Sequence, residues 1–135
     1  MKANFYYIIP TIWALIILIL SLLPGKDMPS FSLWEMVNSD KVAHFGFYGI
    51  QAYLLARGLF LTNPQMKGSS IFMWAFILVV AYGGLIEVMQ GTLCADRYAD
   101  ILDFLANTIG AGLGLLIYRF YPKLADFSFR LLRLS

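Results

Sequence analysis

Four long apolar stretches alternate with short polar connections along this chain of 135 residues. The stretches are residues 5–23, 41–61, 70–90 and 98–121. Each is close to the roughly 20 residues that a helix needs to cross a bilayer core of about 30 Å. The turn-rich segment 62–68 joins the second stretch to the third. The pattern therefore predicts an all-α integral membrane protein, a four-helix transmembrane bundle in which residues 1–135 form a single domain.

The composition supports this fold class. Hydrophobic residues make up 60% of the chain and charged residues 13%, whereas soluble domains contain about 45–50% and about 25%. The net charge of +2 gives no indication of a nucleic-acid partner. Two flanking segments, residues 28–37 and 123–134, mix apolar and polar side chains. We expect both to form short amphipathic helices at the membrane interface.

The basic residues predict the orientation, because cytoplasmic loops are enriched in Lys and Arg. Three of them, Lys26, Lys41 and Arg97, fall on one side of the predicted bundle. The other side has seven, which are Lys2, Arg57, Lys67, Arg119, Lys123, Arg130 and Arg133. We therefore expect both termini in the cytoplasm, with the first stretch a retained signal anchor, since it is long for a signal peptide and lacks a small-x-small cleavage site.

Polar residues occur at helical spacing near the outer ends of the last three stretches. Positions three, four and seven apart share one face of a helix, so each stretch carries a polar stripe. An ionisable group at membrane depth costs about 2.5–3.5 kcal/mol on insertion scales. If the stripes face one another, they form one outward-facing polar pocket. Its candidate ligand-binding residues are Asp40, Lys41, His44, Tyr48, Glu87, Gln90, Arg97, Asp100, Asp103 and Asn107.

The charges of this pocket do not balance. Its ionisable residues besides His44 are Asp40, Lys41, Glu87, Asp96, Arg97, Asp100 and Asp103. Five carboxylates against two cations leave three negative charges, which protons, a metal ion or a cationic ligand could neutralise. The structural alternative is a polar network that only stabilises the bundle. In that alternative Asp96 caps the fourth helix and Asp40 stabilises the first turn of the second.

Two classes of function fit these residues. In the first, the pocket binds or transports an envelope ligand, because its carboxylates suit ammonium or hydroxyl groups, whereas Lys41 and Arg97 suit phosphate or carboxylate. In the second, the protein is a membrane-embedded enzyme. Its candidate catalytic residues are His44, Glu87, Asp100 and Asp103. A divalent metal is one cofactor of that alternative, with His44, Glu87 and Asp103 as candidate ligands and a metal-activated water as the reactant.

Two further features have structural interpretations. Gly110 and Gly114 form a small-xxx-small pair, which lets two helix backbones approach closely. Cys94 is the single cysteine and cannot form an internal disulfide. No His-Glu-x-x-His motif is present, and no serine accompanies His44 in the cluster, so neither a zinc-protease motif nor a Ser-His-Asp triad is expected.

The same polar residues resemble the signature of VanZ-like membrane proteins. It is carried by Asp40–Phe45 with Tyr48, by Glu87–Gln90, by Arg97 with Asp100 and Asp103, and by Ala106–Ala111. The resemblance covers roughly residues 40–116. The family is linked to low-level resistance to the glycopeptide antibiotic teicoplanin, and many of its members are general bacterial envelope proteins.

The resemblance implies a multi-pass protein of the bacterial plasma (inner) membrane and no established reaction. The pocket is then expected to bind or handle a cell-envelope lipid or a glycopeptide-type ligand. We rank this binding or transport function above the enzymatic alternative. The expected partners are membrane lipids, with an envelope glycolipid or lipoglycopeptide as the specific ligand.

Overall fold

The computed structural model describes residues 3–23, 39–94 and 98–131, and all regular secondary structure within these ranges is helical. The elements are a 3₁₀ turn (Ala3–Tyr7), α1 (Ile8–Leu22), α2 (Ser39–Thr62), α3 (Gly68–Leu93), α4 (Ile101–Phe120) and the short α5 (Asp126–Leu131). The predicted interfacial segment 28–37 lies outside the described residues. The second interfacial segment, 123–134, contains α5.

Within the described ranges, three helical segments are long and apolar enough to cross a membrane, namely Phe5–Leu22, Gly68–Leu93 and Ile101–Phe120. The all-α prediction is confirmed, but the four predicted spans are confirmed only for these three. Helix α2 has 24 residues, which is a sufficient length, but it is more polar than the others. The physical reason is its position: α2 contacts α1, α3 and α4, so much of its surface faces protein and need not be apolar.

Helices α2 and α4 run parallel and form the most extensive contact of the bundle. A Cβ atom added at Gly110 would collide with the carbonyl oxygen of Phe45, and one added at Gly114 with that of Gly49. Both obstacles are helix backbone, so only glycine permits this spacing. The small-xxx-small pair predicted from the sequence therefore lies at the closest approach of two helices, as such pairs do in membrane bundles.

Side-chain to backbone hydrogen bonds attach α1 to the rest of the bundle. The indole Nε1 of Trp13 donates to the carbonyl oxygen of Phe47 at 3.0 Å. The hydroxyl of Tyr82 donates to the carbonyl oxygen of Ala14 at 2.6 Å. These bonds join α1 to α2 and α3 half-way along their length. They give polar groups on apolar helices a partner inside the protein, which a bilayer core could not supply.

The bundle has two ends with different polar contacts. At the His44 end, where α2 and α4 begin and α3 finishes, several ionisable side chains meet. At the opposite end, Arg57 of α2 binds Asp126 at the start of α5, with Nη2 and Nε at 2.7 and 2.9 Å from Oδ1. The arginine is only 7% exposed. This ion pair holds α5 against the bundle.

Candidate functional site

The polar site lies at the His44 end and draws side chains from three helices. Helix α2 contributes Lys41 and His44, which are three residues apart and share one face. Helix α3 contributes one carboxylate near its last turn. The start of α4 contributes two carboxylates and one amide. The six residues that define the polar site are Lys41, His44, Glu87, Asp100, Asp103 and Asn107.

Lys41 bridges the two carboxylates at the start of α4. Its Nζ lies 2.9 Å from Oδ2 of Asp100 and 2.9 Å from Oδ1 of Asp103. The side chains of Lys41 and Asp100 are 25% and 39% exposed, whereas that of Asp103 is 8% exposed. Lys41 and Asp100 therefore form the accessible rim of the polar site, and Asp103 lies beneath them.

Asp100 also begins helix α4. Its Oδ1 accepts a hydrogen bond from the Leu102 N–H at 2.8 Å, which satisfies one of the unpaired donors of the first turn. The Lys41 ammonium and this N–H hold the pKa of the Asp100 carboxyl below its usual range. The same residue thus stabilises the helix and fixes the position of Lys41.

His44 occupies the buried part of the polar site. Its Nδ1 lies 2.9 Å from the amide oxygen of Asn107 and 3.7 Å from Oε1 of Glu87. Since an amide oxygen only accepts, Nδ1 carries the proton in this bond. The other oxygen of Glu87, Oε2, accepts from the backbone N–H of Asp100 at 3.2 Å. These contacts connect α2, α3 and α4 through one imidazole and one carboxylate.

Next to the His44 ring are two fully buried polar groups that have no hydrogen-bond partner among the described residues, the Tyr48 hydroxyl and Nδ2 of Asn107. The Tyr48 ring stacks on the His44 ring, with centroids 6.2 Å apart and planes inclined by 8°. Gly83 makes room for both groups, because a Cβ there would lie 3.0 Å from the tyrosine ring and 3.1 Å from Nδ2. Buried polar groups usually have a partner, so this floor of the site suits a polar occupant.

An apolar groove is formed by two of the three helices that build the polar site. It runs between α2 and α4, and we call it the α2–α4 groove. Its volume is about 360 Å³, and its lining includes Phe45, Gly49, Tyr53, Gly110, Leu113 and Ile117. Ile50, also on its wall, is 45% exposed, which places the opening on the outer surface of the bundle. Toward the Arg57 end the groove reaches Leu124 and Ala125.

Comparison with known protein families identifies the family of this chain. The sequence profile of the VanZ/LLP1 family matches residues 5–122. The chain belongs to the VanZ/LLP1 family. The matched range contains α1 to α4 and all six residues of the polar site. No curated protein and no solved structure matches the chain significantly. With its three apolar helices, the molecule is a VanZ-like membrane protein.

Of the ten ligand-binding candidates, this VanZ/LLP1 protein brings six together as the polar site and places Tyr48 beside it. Gln90 is buried but points elsewhere, since its Nε2 donates to the carbonyl oxygen of Ser21 in α1 at 2.9 Å. The side chains of Asp40 and Arg97 lie outside the described residues. Helix α4 begins at Ile101 with Asp100 as its cap, so the predicted start near residue 98 is wrong, and so is the cap at Asp96 in the structural alternative.

Two features of the VanZ/LLP1 structure were missed by sequence reasoning. The first is the Arg57–Asp126 ion pair, because Arg57 was considered only as one of the basic residues that predict the orientation. The second is the α2–α4 groove. A signal for the groove does exist in the sequence, since Gly46 and Gly49 on α2 and Gly110 and Gly114 on α4 remove side-chain volume from both of its walls. Their spacing alone does not say which helices share them.

Proposed function

We propose that this protein binds an envelope lipid, with the lipid headgroup in the polar site and an acyl chain in the α2–α4 groove. The observation that carries the proposal is that the same two helices, α2 and α4, form both features. His44 belongs to the polar site and Phe45, the next residue, belongs to the groove wall. A ligand that fits both is polar at one end and apolar along the rest, which is the chemistry of a lipid.

The charges of the polar site favour a headgroup that donates hydrogen bonds. Lys41 already contacts the carboxylates of Asp100 and Asp103 at 2.9 Å, so an anionic headgroup would have to compete with both. The carboxylates retain further acceptor capacity, because each oxygen has two lone pairs. Hydroxyl and ammonium groups are the matching donors. We therefore expect sugar-bearing or amine-bearing lipids to bind better than lipids with a purely anionic headgroup.

The orientation inferred from the basic residues gives this proposal its cellular setting. With both termini in the cytoplasm of a bacterium and α2 as a fourth span, the polar site lies in the outer half of the plasma membrane. A lipid of the outer leaflet reaches the α2–α4 groove laterally, through the exposed side near Ile50. A lipidated glycopeptide presents the same combination of sugar hydroxyls, amines and an acyl chain, which connects the proposal to glycopeptide resistance.

Native mass spectrometry with defined lipids tests the proposal. The purified protein in detergent is mixed with phosphatidylethanolamine, a diglucosyl diacylglycerol or phosphatidylmethanol, whose anionic headgroup has no hydroxyl or ammonium donor. We expect the first two lipids to be retained more strongly than the third. Glu87→Gln should weaken their retention without changing the helical content. Equal retention of all three lipids, or equal retention by Glu87→Gln and the wild type, would contradict the headgroup assignment.

A matched pair of variants tests the groove. Ile50→Trp places a large ring at the groove wall, whereas Ile77→Trp makes the same change on α3, away from it. The two isoleucines are similarly exposed, at 45% and 49%, so a general effect of an added tryptophan affects both. We expect Ile50→Trp to lose lipid retention and Ile77→Trp to keep it. Loss in both or in neither would remove the groove from the proposal. Conversion of the bound lipid to a product would establish the enzymatic alternative instead.

A further inference from the structure

We propose that His44, Glu87 and Asp103 bind one divalent transition-metal ion. The three residues belong to the polar site, so the inference deepens the proposed function by naming an ion that would accompany the lipid headgroup there. Its evidence is separate from the groove, however, because it depends only on the geometry, burial and charge of these side chains.

The three side chains converge from three helices. Each offers one ligand atom, and these atoms all lie within 4.8 Å of one another. Each residue is only 5% exposed. Two ligand atoms that each lie about 2.1 Å from a tetrahedral ion are about 3.4 Å apart, so a pair at the 4.8 Å limit has to close by roughly 1.4 Å. Side-chain rotation supplies such a movement without displacing a helix.

The donor set selects the class of ion. One imidazole and two carboxylates suit zinc, manganese or ferrous iron, whereas magnesium and calcium prefer an all-oxygen set. Asn107 supports the imidazole as outer ligands do in metal sites, because its amide oxygen accepts from Nδ1 of His44 at 2.9 Å. With Nδ1 engaged in that bond, Nε2 is the ring nitrogen left to bind the ion; because Nδ1 makes the 3.7 Å approach to Oε1 of Glu87, the ring has to turn for Nε2 to face the carboxylates. The sequence contains one histidine, and it is held in this way.

The charge of the polar site matches a divalent cation. Lys41 provides one positive charge, whereas Glu87, Asp100 and Asp103 provide three negative charges when ionised. With His44 neutral, as a ligand must be, two negative charges are left over; the carboxylates of Glu87 and Asp103 are buried, whereas that of Asp100 is on the accessible rim. Excess buried charge is strongly unfavourable unless it is compensated. A doubly charged ion neutralises the six residues of the polar site.

Two unpartnered groups on residues that contact the His44 ring provide a second observation. The Tyr48 hydroxyl and Nδ2 of Asn107 are 0% exposed and have no partner among the described residues. Both can donate a hydrogen bond. A catalytic or exchangeable metal site keeps at least one position for water or substrate. The two donors next to the His44 ring can bind that additional ligand.

Metal titration of the wild-type protein tests the proposal. The chain is purified in detergent with a tag that contains no histidine, because His44 is its sole imidazole. The protein is stripped with EDTA and titrated with zinc, and the bound zinc is counted by elemental analysis after desalting. We expect one zinc per chain and protection of His44 from diethyl pyrocarbonate. Cobalt should give a visible spectrum that zinc abolishes. Wild-type protein that binds no zinc stoichiometrically would overturn the proposal.

Variants then assign the ligands. Glu87→Gln and Asp103→Asn should lose zinc retention, and Asn107→Ala should weaken the affinity by about 10–100-fold. Asp126→Asn breaks the ion pair with Arg57 at the opposite end, so it lowers stability without touching the polar site, and it should still bind one zinc. Retention of zinc by folded Glu87→Gln or Asp103→Asn would refute the assignment. If these variants do not fold, the zinc stoichiometry and the His44 protection of the wild type decide.

The two proposals fail in distinguishable ways. Zinc binding is measured in lipid-free detergent, and lipid retention is measured in EDTA. Zinc binding without any lipid retention would leave the metal site in place and remove the lipid function. Lipid retention in EDTA by a protein that takes up no zinc would keep the function and overturn the metal site.

Discussion

The contact between α2 and α4 can be tested with two glycines of α4 that differ in their surroundings. A Cβ at Gly114 would collide with the backbone carbonyl of Gly49, whereas a Cβ at Gly112 meets nothing within 4 Å. The backbones at Gly114 and Gly49 cannot shift locally to relieve the collision, because both belong to regular helices. Overpacking of this kind typically costs about 1–3 kcal/mol. Gly114→Ala should therefore push the two helices apart and destabilise the protein.

The pair also removes the main complication of glycine substitutions. Replacing glycine by alanine inside a helix stabilises the helix by about 1 kcal/mol, and this gain applies to Gly112→Ala and Gly114→Ala alike. Their difference in unfolding free energy therefore isolates the steric cost. We expect Gly112→Ala to be neutral or stabilising and Gly114→Ala to be less stable than it by about 1–3 kcal/mol.

Reversible unfolding in mixed micelles, followed by circular dichroism, measures that difference. A gap of 1.4 kcal/mol is about a tenfold change in the unfolding equilibrium, which is well within reach of such titrations. The same preparations report on the polar site, because separation of α2 from α4 lengthens the Lys41–Asp103 ion pair and should weaken ligand retention. Equal stability of Gly112→Ala and Gly114→Ala would refute the close backbone contact.

Three further outcomes are expected. Arg57→Met should destabilise the protein by about 3 kcal/mol, because it leaves the carboxylate of Asp126 without its partner in a largely buried position. The double variant Arg57→Met/Asp126→Leu should recover much of this loss in the same unfolding titration. The folded state lowers the pKa of the Asp100 carboxyl, so this group stabilises the protein above its ordinary pKa, and the stabilisation is lost as the pH falls through the lower folded pKa. Asp100→Asn should therefore flatten the acid side of a curve of unfolding free energy against pH. An unchanged curve would contradict the pairing of Asp100 with Lys41. A maleimide that cannot cross membranes should label Cys94 in intact cells, and labelling only after permeabilisation would contradict the proposed orientation.

The helices were predictable from the sequence because their apolar stretches are long and end in polar or turn-forming residues. The predicted stretches 41–61 and 70–90 differ from Ser39–Thr62 and Gly68–Leu93 by at most three residues at each end. The start of α4 was misplaced because several aspartates near it can each cap a helix. Asp100 is the residue that caps the helix, and it also binds Lys41. A local sequence pattern does not reveal that tertiary contact.

The composition of the polar site was predictable to the extent that stripes on neighbouring helices must face inward. The direction of each side chain was not. Gln90 lies three residues after Glu87 and shares its face, yet it donates to Ser21 of α1. Whether a side chain of α3 contacts α1 or the polar site depends on how α3 is rotated about its own axis. Helical periodicity leaves this rotation undetermined within a few tens of degrees.

The register of α2 against α4 explains why the polar site and the groove occur together. Parallel helices in contact keep a nearly constant difference between facing residue numbers. This holds along the whole contact, where the facing pairs are Lys41 and Asp103, His44 and Asn107, Phe45 and Gly110, and Gly49 and Gly114. The glycine pairs set the distance between the backbones. That distance brings His44 within 2.9 Å of Asn107.

The same close approach determines what lies beyond the polar site. Glycines on both helices leave their flanks without side chains, so the outward side of the contact becomes the α2–α4 groove. A larger residue at Gly110 or Gly114 would separate the helices, fill the groove and pull the polar pairs apart at once. A change aimed at the groove alone must therefore come from its outer wall, at Ile50 or Leu113, where side chains point away from the backbone contact and are 45% and 41% exposed.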